Sequence, residues 1–212
     1  MPSTLPRPRH RWAAAFYARM PMKSFGPHRR FAAGEARGRV IEIGAGTGDN
    51  LAFYAWEGVE SLDLTEPDPY MLAYLRRKLP GLPPEARAKL RLHEAPAEAL
   101  PFPDASFDCA VVTLVLCSVG DARASLAEIR RVLRPGGEAR LVEHVKAAGG
   151  WGRVQSLVQP AYGWFAAGCH LTRDTEAAVR QAGFGLETIQ RFSLAGPLFP
   201  AFEGIARRPR ED

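Results

Sequence analysis

Three glycines stand at every second position, Gly44, Gly46 and Gly48, directly after the apolar run at 39–43. Glycine accepts backbone conformations that other residues avoid, and it lets backbone N–H groups approach a ligand closely. A glycine-rich turn that leads from a strand into a helix places those N–H groups at the helix N-terminus, facing the ligand. The spacing therefore predicts an α/β domain that binds a ligand at its first strand-to-helix crossover.

Short β-branched runs alternate with helical patterns along most of the chain. The strand-like runs lie at 39–43, 59–64, 89–94, 107–112 and 138–145. Apolar residues recur at helical spacing over 48–57, 68–79 and 121–133, with Asp68 and Asp121 as predicted N-caps. Further along, a helix is predicted at about 150–165 and two closing strands at 186–192 and 202–208. This alternation predicts a doubly wound α/β fold, in which a mostly parallel sheet carries helices on both faces.

The positive charge of the chain is concentrated at its N-terminus. The net charge is +5, and residues 1–39 alone hold nine Lys or Arg against one Glu. We therefore expect a basic, aromatic, helical arm or lid over 1–37 and a single ligand-binding domain over 38–212. Packing of the arm on the domain is the favoured interpretation, and peripheral contact with an anionic membrane surface is the alternative. Nucleic acid is not an expected partner, because the arm contains no recognition motif.

Compartment and redox chemistry are constrained by what the chain lacks. No apolar run reaches the roughly 18 residues that span a bilayer, and the basic start is not followed by the apolar segment of a secretory signal. The three cysteines form no CxxC pair, so neither a disulfide framework nor a zinc ribbon is predicted. These features favour a cytoplasmic protein.

Acidic residues near the glycines indicate the chemistry of the ligand. In the dinucleotide pattern GxGxxG the third glycine would fall at position 49, which is Asp49. Glu42 precedes the loop and places negative charge where a pyrophosphate would add more, so a cationic ligand group is favoured. A second acid at the end of the second strand can bind both ribose hydroxyls. Glu66 is the preferred candidate and Asp63 its rival.

Four segments carry a resemblance to a known family. "VIEIGAGTG", "EPDPYML", "APAEALPFPDASFDCAVVTLVL" and "LAEIRRVLRPGGEARLVEHV" resemble, in order and spacing, the motifs of class I S-adenosylmethionine-dependent methyltransferases over about residues 38–145. "TLVLCSV", "EHV" and "GCHLTRDT" resemble the thiol S-methyltransferase branch, and more broadly the ubiquinone/menaquinone-biosynthesis and phospholipid N-methyltransferase groups. The resemblance implies a Rossmann-like, seven-stranded sheet whose last strands form an antiparallel edge.

The resemblance also implies a set of cofactor contacts. Glu66 would hold the ribose hydroxyls, and Glu42 would either lie near the ammonium group or organise the loop. Many relatives have Asp where this chain has Pro96, so the backbone of Ala97 would replace the lost contact with adenine. The implied cofactor-binding residues are Glu42, Gly44, Ala45, Gly46, Gly48, Glu66, Pro67, Pro96, Ala97, Glu98, Thr113 and Leu114.

An acceptor site is expected beside the cofactor, at the carboxyl ends of the strands. His144 is the candidate base for an acceptor that must lose a proton, and a histidine bonded to backbone is the alternative. The residues assigned to the acceptor pocket are Cys117, Trp164, His170 and Arg173. No metal site is predicted, because the spacing of Cys117, Cys169 and His170 fits no standard zinc pattern.

The predicted reaction is transfer of a methyl group from S-adenosylmethionine to a small, apolar acceptor by in-line displacement, with S-adenosylhomocysteine as product. A thiol is the favoured acceptor. Methylation of a quinone precursor at carbon, or of a phospholipid or amine at nitrogen, remains an alternative. The alternatives of another class are a nicotinamide-dependent oxidoreductase and a cofactor-binding scaffold without activity.

Overall fold

The computed structural model describes residues 11–19, 25–165 and 168–210. Helices and strands alternate through most of these residues. In chain order they are α1 (Arg11–Arg19), α2 (Gly26–Ala33), β1 (Gly38–Ile43), β2 (Val59–Thr65), α3 (Pro69–Lys78), α4 (Pro84–Ala88), β3 (Leu90–His93), β4 (Phe107–Thr113), α5 (Ala122–Val132), β5 (Leu133–His144), α6 (Gly150–Phe165), α7 (Thr175–Gln181), β6 (Gly185–Ser193) and β7 (Pro200–Arg207).

The strands form one seven-stranded sheet in the order β3-β2-β1-β4-β5-β7-β6. Strands β1 to β5 pair in parallel, whereas β7 runs antiparallel to both of its neighbours, β5 and β6. The Rossmann-like, doubly wound fold and its antiparallel edge are thereby confirmed. The strand order reverses between β1 and β4, and ligands of such sheets bind in the crevice outside the carboxyl ends of the strands at this reversal.

Helices cover both faces of the sheet, because successive residues of a strand point to opposite sides. Ile41 and Ile43 of β1 belong to one core cluster, which α5 and α7 close, while Val40 belongs to the other. The second cluster includes Ala32 and Ala33 of α2. With apolar residues buried on both sides, β1 and β4 are the inner strands that fix the position of the crevice.

The predicted N-caps are confirmed, but one predicted helix is much shorter than expected. Asp68 and Asp121 each accept hydrogen bonds from two backbone N–H groups at the start of α3 and α5. The pattern at 48–57 predicts a helix, whereas the structure contains only a 3₁₀ helix, Asp49–Ala52. The reason lies in the side chains of this segment. Asn50 and Tyr54 turn inward to donate hydrogen bonds to Glu42, which holds the segment as a series of turns.

The N-terminal segment contributes to the packing of the sheet. Phe25 and the alanines of α2 are buried, and Arg140 of β5 donates two hydrogen bonds to the carbonyl of Phe31. Helix α1 contacts α3. The boundary at residue 37 between an arm and the domain stays a prediction. Among the described residues, no helix combines the length and hydrophobicity needed to span a bilayer.

Candidate cofactor and acceptor site

The glycine loop follows β1 and adopts left-handed backbone at all three glycines. The φ angles of Gly44, Gly46 and Gly48 are +61°, +57° and +79°. A Cβ atom at Gly44 would lie 2.8 Å from a methyl group of Val115, so this glycine is required for packing behind the loop. A Cβ atom at Gly46 would meet nothing closer than a carbonyl oxygen at 4.0 Å. The backbone of Gly46 therefore faces open space, as close approach to a ligand requires.

Glu66 joins the end of β2 to the glycine loop. One carboxylate oxygen accepts a hydrogen bond of 2.9 Å from the N–H of Gly46, and the other accepts one of 2.9 Å from the N–H of Asp68. The rival acid, Asp63, is instead paired with His93, at 2.7 Å between Oδ1 and Nε2. The geometry thus brings Glu66, and not Asp63, to the loop at the crevice.

Glu42 lies beneath the loop and is 3% exposed. Its carboxylate accepts hydrogen bonds from Asn50 Nδ2 at 3.0 Å and from the Tyr54 hydroxyl at 2.6 Å. Burial raises the pKa of Glu42 to about 7, against the lowering effect of these two bonds. Arg29 extends the network by donating to the amide oxygen of Asn50 at 2.7 Å. These contacts favour the loop-organising role for Glu42.

The segment after β3, which is predicted to contact the adenine, contains small, buried residues. Pro96 and Ala97 are buried, which suits a flat apolar ligand group. The carboxylate of Glu98 accepts hydrogen bonds from the N–H groups of Gly120 and Asp121, at 2.9 and 3.2 Å. Glu98 therefore ties the segment after β3 to the segment after β4, a structural contact that the sequence did not indicate.

Thr113 and Leu114, which are also predicted to contact the cofactor, lie at the end of β4. The hydroxyl of Thr113 accepts a hydrogen bond from Asn50 at 3.2 Å, and Leu114 adopts a φ of +56°. Left-handed backbone at a residue with a branched side chain is unusual, and such strain is concentrated at functional sites. The N–H of Leu114 bonds to the carbonyl of Val142 at 2.8 Å, which holds this conformation in place.

The buried carboxylate of Glu143 shapes the turn that follows Leu114. It accepts hydrogen bonds from the N–H groups of Val115, Leu116 and Cys117, at 2.7, 2.9 and 3.3 Å. Burial raises the pKa of Glu143, although the three N–H groups oppose this effect. No local sequence pattern reveals that this strand residue caps a turn nearly thirty positions earlier in the chain.

His144 lies at the carboxyl end of β5 and is 6% exposed. Its Nδ1 is 3.3 Å from Sγ of Cys169, and its Nε2 has no hydrogen-bond partner among the described residues. Cys117 and Cys169 belong to a small apolar cluster against which Tyr162 and Phe199 pack. The predicted base and one predicted pocket residue, Cys117, are thus brought together in an apolar wall.

The other predicted acceptor residues have different surroundings. Arg173 donates hydrogen bonds to the carbonyls of Leu116 and Val119, at 2.5 and 2.7 Å, so its guanidinium secures the segment after β4. The side chain of His170 is exposed, and its backbone N–H bonds to the carbonyl of Cys117 at 2.6 Å. The side chain of Trp164 lies outside the described part of the chain.

Two surface cavities lie away from these residues. One, of about 440 Å³, is lined by α2 and Phe53, and the other, of about 310 Å³, by α3 and Arg11. Their charged side chains are exposed. Buried ionisable groups with perturbed pKa values cluster at functional sites, and Glu42 and Glu143 are such groups, so the crevice at the glycine loop remains the candidate site.

Comparison with known proteins adds independent information. Residues 41–141 match the family described as "Methyltransferase domain". The chain is 37% identical over 165 residues to thiol S-methyltransferase TMT1B of Homo sapiens, covering 74% of this chain and 64% of that protein. It is 36% identical over 108 residues to the ubiquinone/menaquinone biosynthesis C-methyltransferase UbiE of Geobacter sulfurreducens, covering 50% of this chain and 41% of that protein. It therefore spans less than two thirds of the length of either relative.

A solved structure agrees with these matches at the level of the fold. A putative methyltransferase from Bacillus halodurans superposes with a TM-score of 0.72 at 15% identity, covering 88% of this chain and 99% of that one. Sheet order, glycine loop and the Glu66 carboxylate agree with the methyltransferase domain that residues 41–141 match. Residues 41–141 thus form a methyltransferase domain, and the chain is similar to the family of S-adenosylmethionine-dependent methyltransferases in sequence and in fold. S-adenosylmethionine is the cofactor of this family, and the open backbone at Gly46 beside the buried carboxylate of Glu66 fits such a sulfur nucleoside.

Proposed function

We propose that the protein transfers a methyl group from S-adenosylmethionine to a small, apolar acceptor, with a thiol as the favoured class. The observation that carries the proposal is the meeting of the Gly46 N–H and the Glu66 carboxylate at the reversal of strand order. A ribose can replace the internal hydrogen bond with bonds to the same carboxylate. Gly44, Ala45 and Gly48 complete the loop, and Pro67, Pro96 and Ala97 offer apolar surface to the base.

The cofactor supplies an activated methyl group on a positively charged sulfur. The chain has to hold donor and acceptor in line and to exclude water, and such positioning lowers a barrier by about 7–11 kcal/mol. Hydrogen bonds to Asn50 and Glu143 hold the turn at Thr113 and Leu114 in place. In this proposal the turn lies where the methyl donor and the acceptor meet. No paired acids or nucleophile are required for this chemistry.

Two features support a thiol acceptor. The wall around Cys117, Cys169, Tyr162 and Phe199 is apolar, and the human relative at 37% identity is named a thiol S-methyltransferase. A thiol must lose its proton to become a good nucleophile. We assign this proton to His144: in the tautomer with the ring proton on Nδ1, directed at Sγ of Cys169 3.3 Å away, the lone pair of Nε2 is left to accept from the acceptor.

A screen of alkyl thiols, amines, phenols and quinols that follows S-adenosylhomocysteine formation tests the acceptor class. Turnover of an alkyl thiol that rises with pH, as thiolate forms, is expected. Turnover restricted to amines would overturn the thiol assignment. The resemblance to UbiE makes carbon methylation of a quinol the second candidate, and methylation of quinols without thiols would establish it.

The role of His144 is tested by His144→Gln. The variant is expected to lose most activity at low pH, where thiolate is scarce, and to approach the wild type as the pH nears the pKa of the acceptor thiol. His28→Gln is the control, because His28 bonds to Glu203 and takes no part in the site. A loss in His144→Gln that is the same at every pH would contradict proton transfer and leave a packing role.

A further inference from the structure

Three potential metal ligands from distant parts of the sequence meet in one buried cluster. Cys117 follows β4, His144 ends β5 and Cys169 follows α6, and their exposed fractions are 1%, 6% and 5%. One donor atom from each residue lies within 4.8 Å of the other two. From the sequence no metal site was predicted, and His170 was the histidine considered beside the two cysteines; its side chain is exposed, and the histidine that joins the two sulfurs is His144.

The dimensions of the cluster suit a single metal ion. Zinc binds cysteine sulfur at about 2.3 Å and histidine nitrogen at about 2.0–2.1 Å, so a tetrahedral site separates its ligand atoms by about 3.5–3.8 Å. Nδ1 of His144 and Sγ of Cys169 are already 3.3 Å apart. The three donor atoms lie within 4.8 Å of one another, and shifts of about 1 Å would bring them to these tetrahedral separations. Two sulfurs and an imidazole form a soft ligand set, which selects Zn²⁺ or Cu⁺ over Mg²⁺ or Ca²⁺.

The surroundings would strengthen the binding of a cation. Leu171, Tyr162 and Phe199 pack around the sulfurs and exclude water, so charge interactions inside the cluster are strong. The nitrogen Nε2 of His144, which has no hydrogen-bond partner in the described ranges, is the atom that would carry the ring proton once Nδ1 binds the ion.

The geometry points to a binding site for a thiophilic cation, Zn²⁺ or Cu⁺, held by the sulfurs of Cys117 and Cys169 and by Nδ1 of His144. Occupancy of this site by the ion inhibits methyl transfer. On binding, both thiols release their protons to solvent and Nδ1 donates its lone pair to the ion, with no change in oxidation state. The ring proton then resides on Nε2. In that tautomer Nε2 cannot accept the proton of the acceptor thiol.

The inhibitory consequence rests on the proposed function, whereas binding of the ion does not. Binding is tested first, on the full chain after treatment with a chelator, by titration with Co²⁺ as a spectroscopic substitute for zinc. One equivalent is expected to produce thiolate-to-cobalt charge-transfer absorption, and added Zn²⁺ should abolish it. Absence of this absorption at one equivalent would overturn the site.

Variants identify the ligands. Cys117→Ser, Cys169→Ser and His144→Gln are each expected to weaken metal binding about 100-fold or more. Cys109→Ser is the matched control, because Cys109 is also buried but packs in a different core cluster. Its spectrum should equal that of the wild type. Near-UV circular dichroism verifies that each variant is folded. An undiminished cobalt spectrum in Cys117→Ser, or its loss in Cys109→Ser, would refute the ligand set.

Turnover measurements then test inhibition. Wild-type protein loaded with one equivalent of Zn²⁺ and freed of excess is expected to lose most of its thiol methylation, and a chelator should restore it. Whatever turnover Cys117→Ser retains should be insensitive to zinc. Faster turnover of the loaded protein would refute inhibition. If no acceptor is methylated, the cobalt titration still decides the metal site, so the two proposals fail separately.

Discussion

The wild-type protein is expected to lose stability with rising pH because of the buried Glu42 carboxyl, and replacement of Glu42 by Gln is expected to abolish this loss. Burial raises the pKa of this carboxyl from 4.5 in the unfolded chain to about 7 in the folded protein. Between these values the folded chain holds a proton that the unfolded chain has released. A rise in pH therefore destabilises the wild type across this window. The stabilising contribution of the protonated group is complete below pH 4.5 and is lost above pH 7.

The size of the effect follows from the shift. Each pKa unit corresponds to about 1.4 kcal/mol. Between the two pKa values, the free energy of unfolding of the wild type should therefore fall by about 3 kcal/mol relative to that of Glu42→Gln. Urea unfolding at several pH values from about 4 to 8 measures this difference directly. All other titrating groups are shared by the two proteins, so their contributions cancel in the comparison. Parallel stability profiles for the wild type and Glu42→Gln would refute the reasoning.

Tyr54→Phe provides a companion test of the same network. The Tyr54 hydroxyl donates a hydrogen bond to Glu42 and lowers the pKa of its carboxyl. Its removal should raise that pKa further, because the charged form loses a donor. The loss of stability with rising pH should then be larger than in the wild type and should extend to higher pH. A smaller loss would show that Tyr54 does not stabilise the charged form.

Three further substitutions are informative: two separate packing from ligand contact, and the third tests a helix cap. Gly44→Ala and Gly46→Ala should each cost about 1–2 kcal/mol because both have left-handed backbone. Gly44→Ala should cost more because its methyl group would meet Val115, whereas Gly46→Ala should mainly weaken cofactor binding. Thermal melts measure the stability of the two variants, and calorimetric titration measures their cofactor affinity. Equal stability and equal affinity in Gly44→Ala and Gly46→Ala would contradict the separate roles of the two glycines. Asp121→Ala should cost about 1 kcal/mol in urea unfolding through loss of its N-cap bonds, and an unchanged midpoint would contradict this.

Features that depend on local sequence could be predicted well. The strands at 39–43 and 107–112 lie within β1 and β4, because apolar β-branched runs have few alternatives in a buried sheet. Asp68 and Asp121 could be identified as caps because a cap is a contact over two or three residues. Glu66 was favoured over Asp63 from its place at the end of a strand, and the structure puts it beside Gly46.

Contacts between distant segments could not be predicted from one sequence. The pattern at 48–57 has helical spacing, but Glu42 recruits Asn50 and Tyr54 through hydrogen bonds that only the folded sheet creates. Arg173 and Glu143 both act on the segment after β4, from positions well beyond it in the chain. His144 and Cys169 meet because the end of β5 and the segment after α6 lie next to each other in the folded chain.

The central claim is that bare backbone at Gly46 and the carboxylate of Glu66 together hold a sulfur nucleoside. Isothermal titration with S-adenosylmethionine of the wild type, Glu66→Ala and Glu60→Ala tests it most directly. Glu60 is a suitable control because it is an exposed glutamate on β2, the strand that Glu66 directly follows. Loss of ribose contacts should weaken binding to Glu66→Ala by about 1–3 kcal/mol and leave Glu60→Ala unaffected. A wild type that does not bind the cofactor, or a Glu66→Ala variant that binds it equally well, would contradict the account.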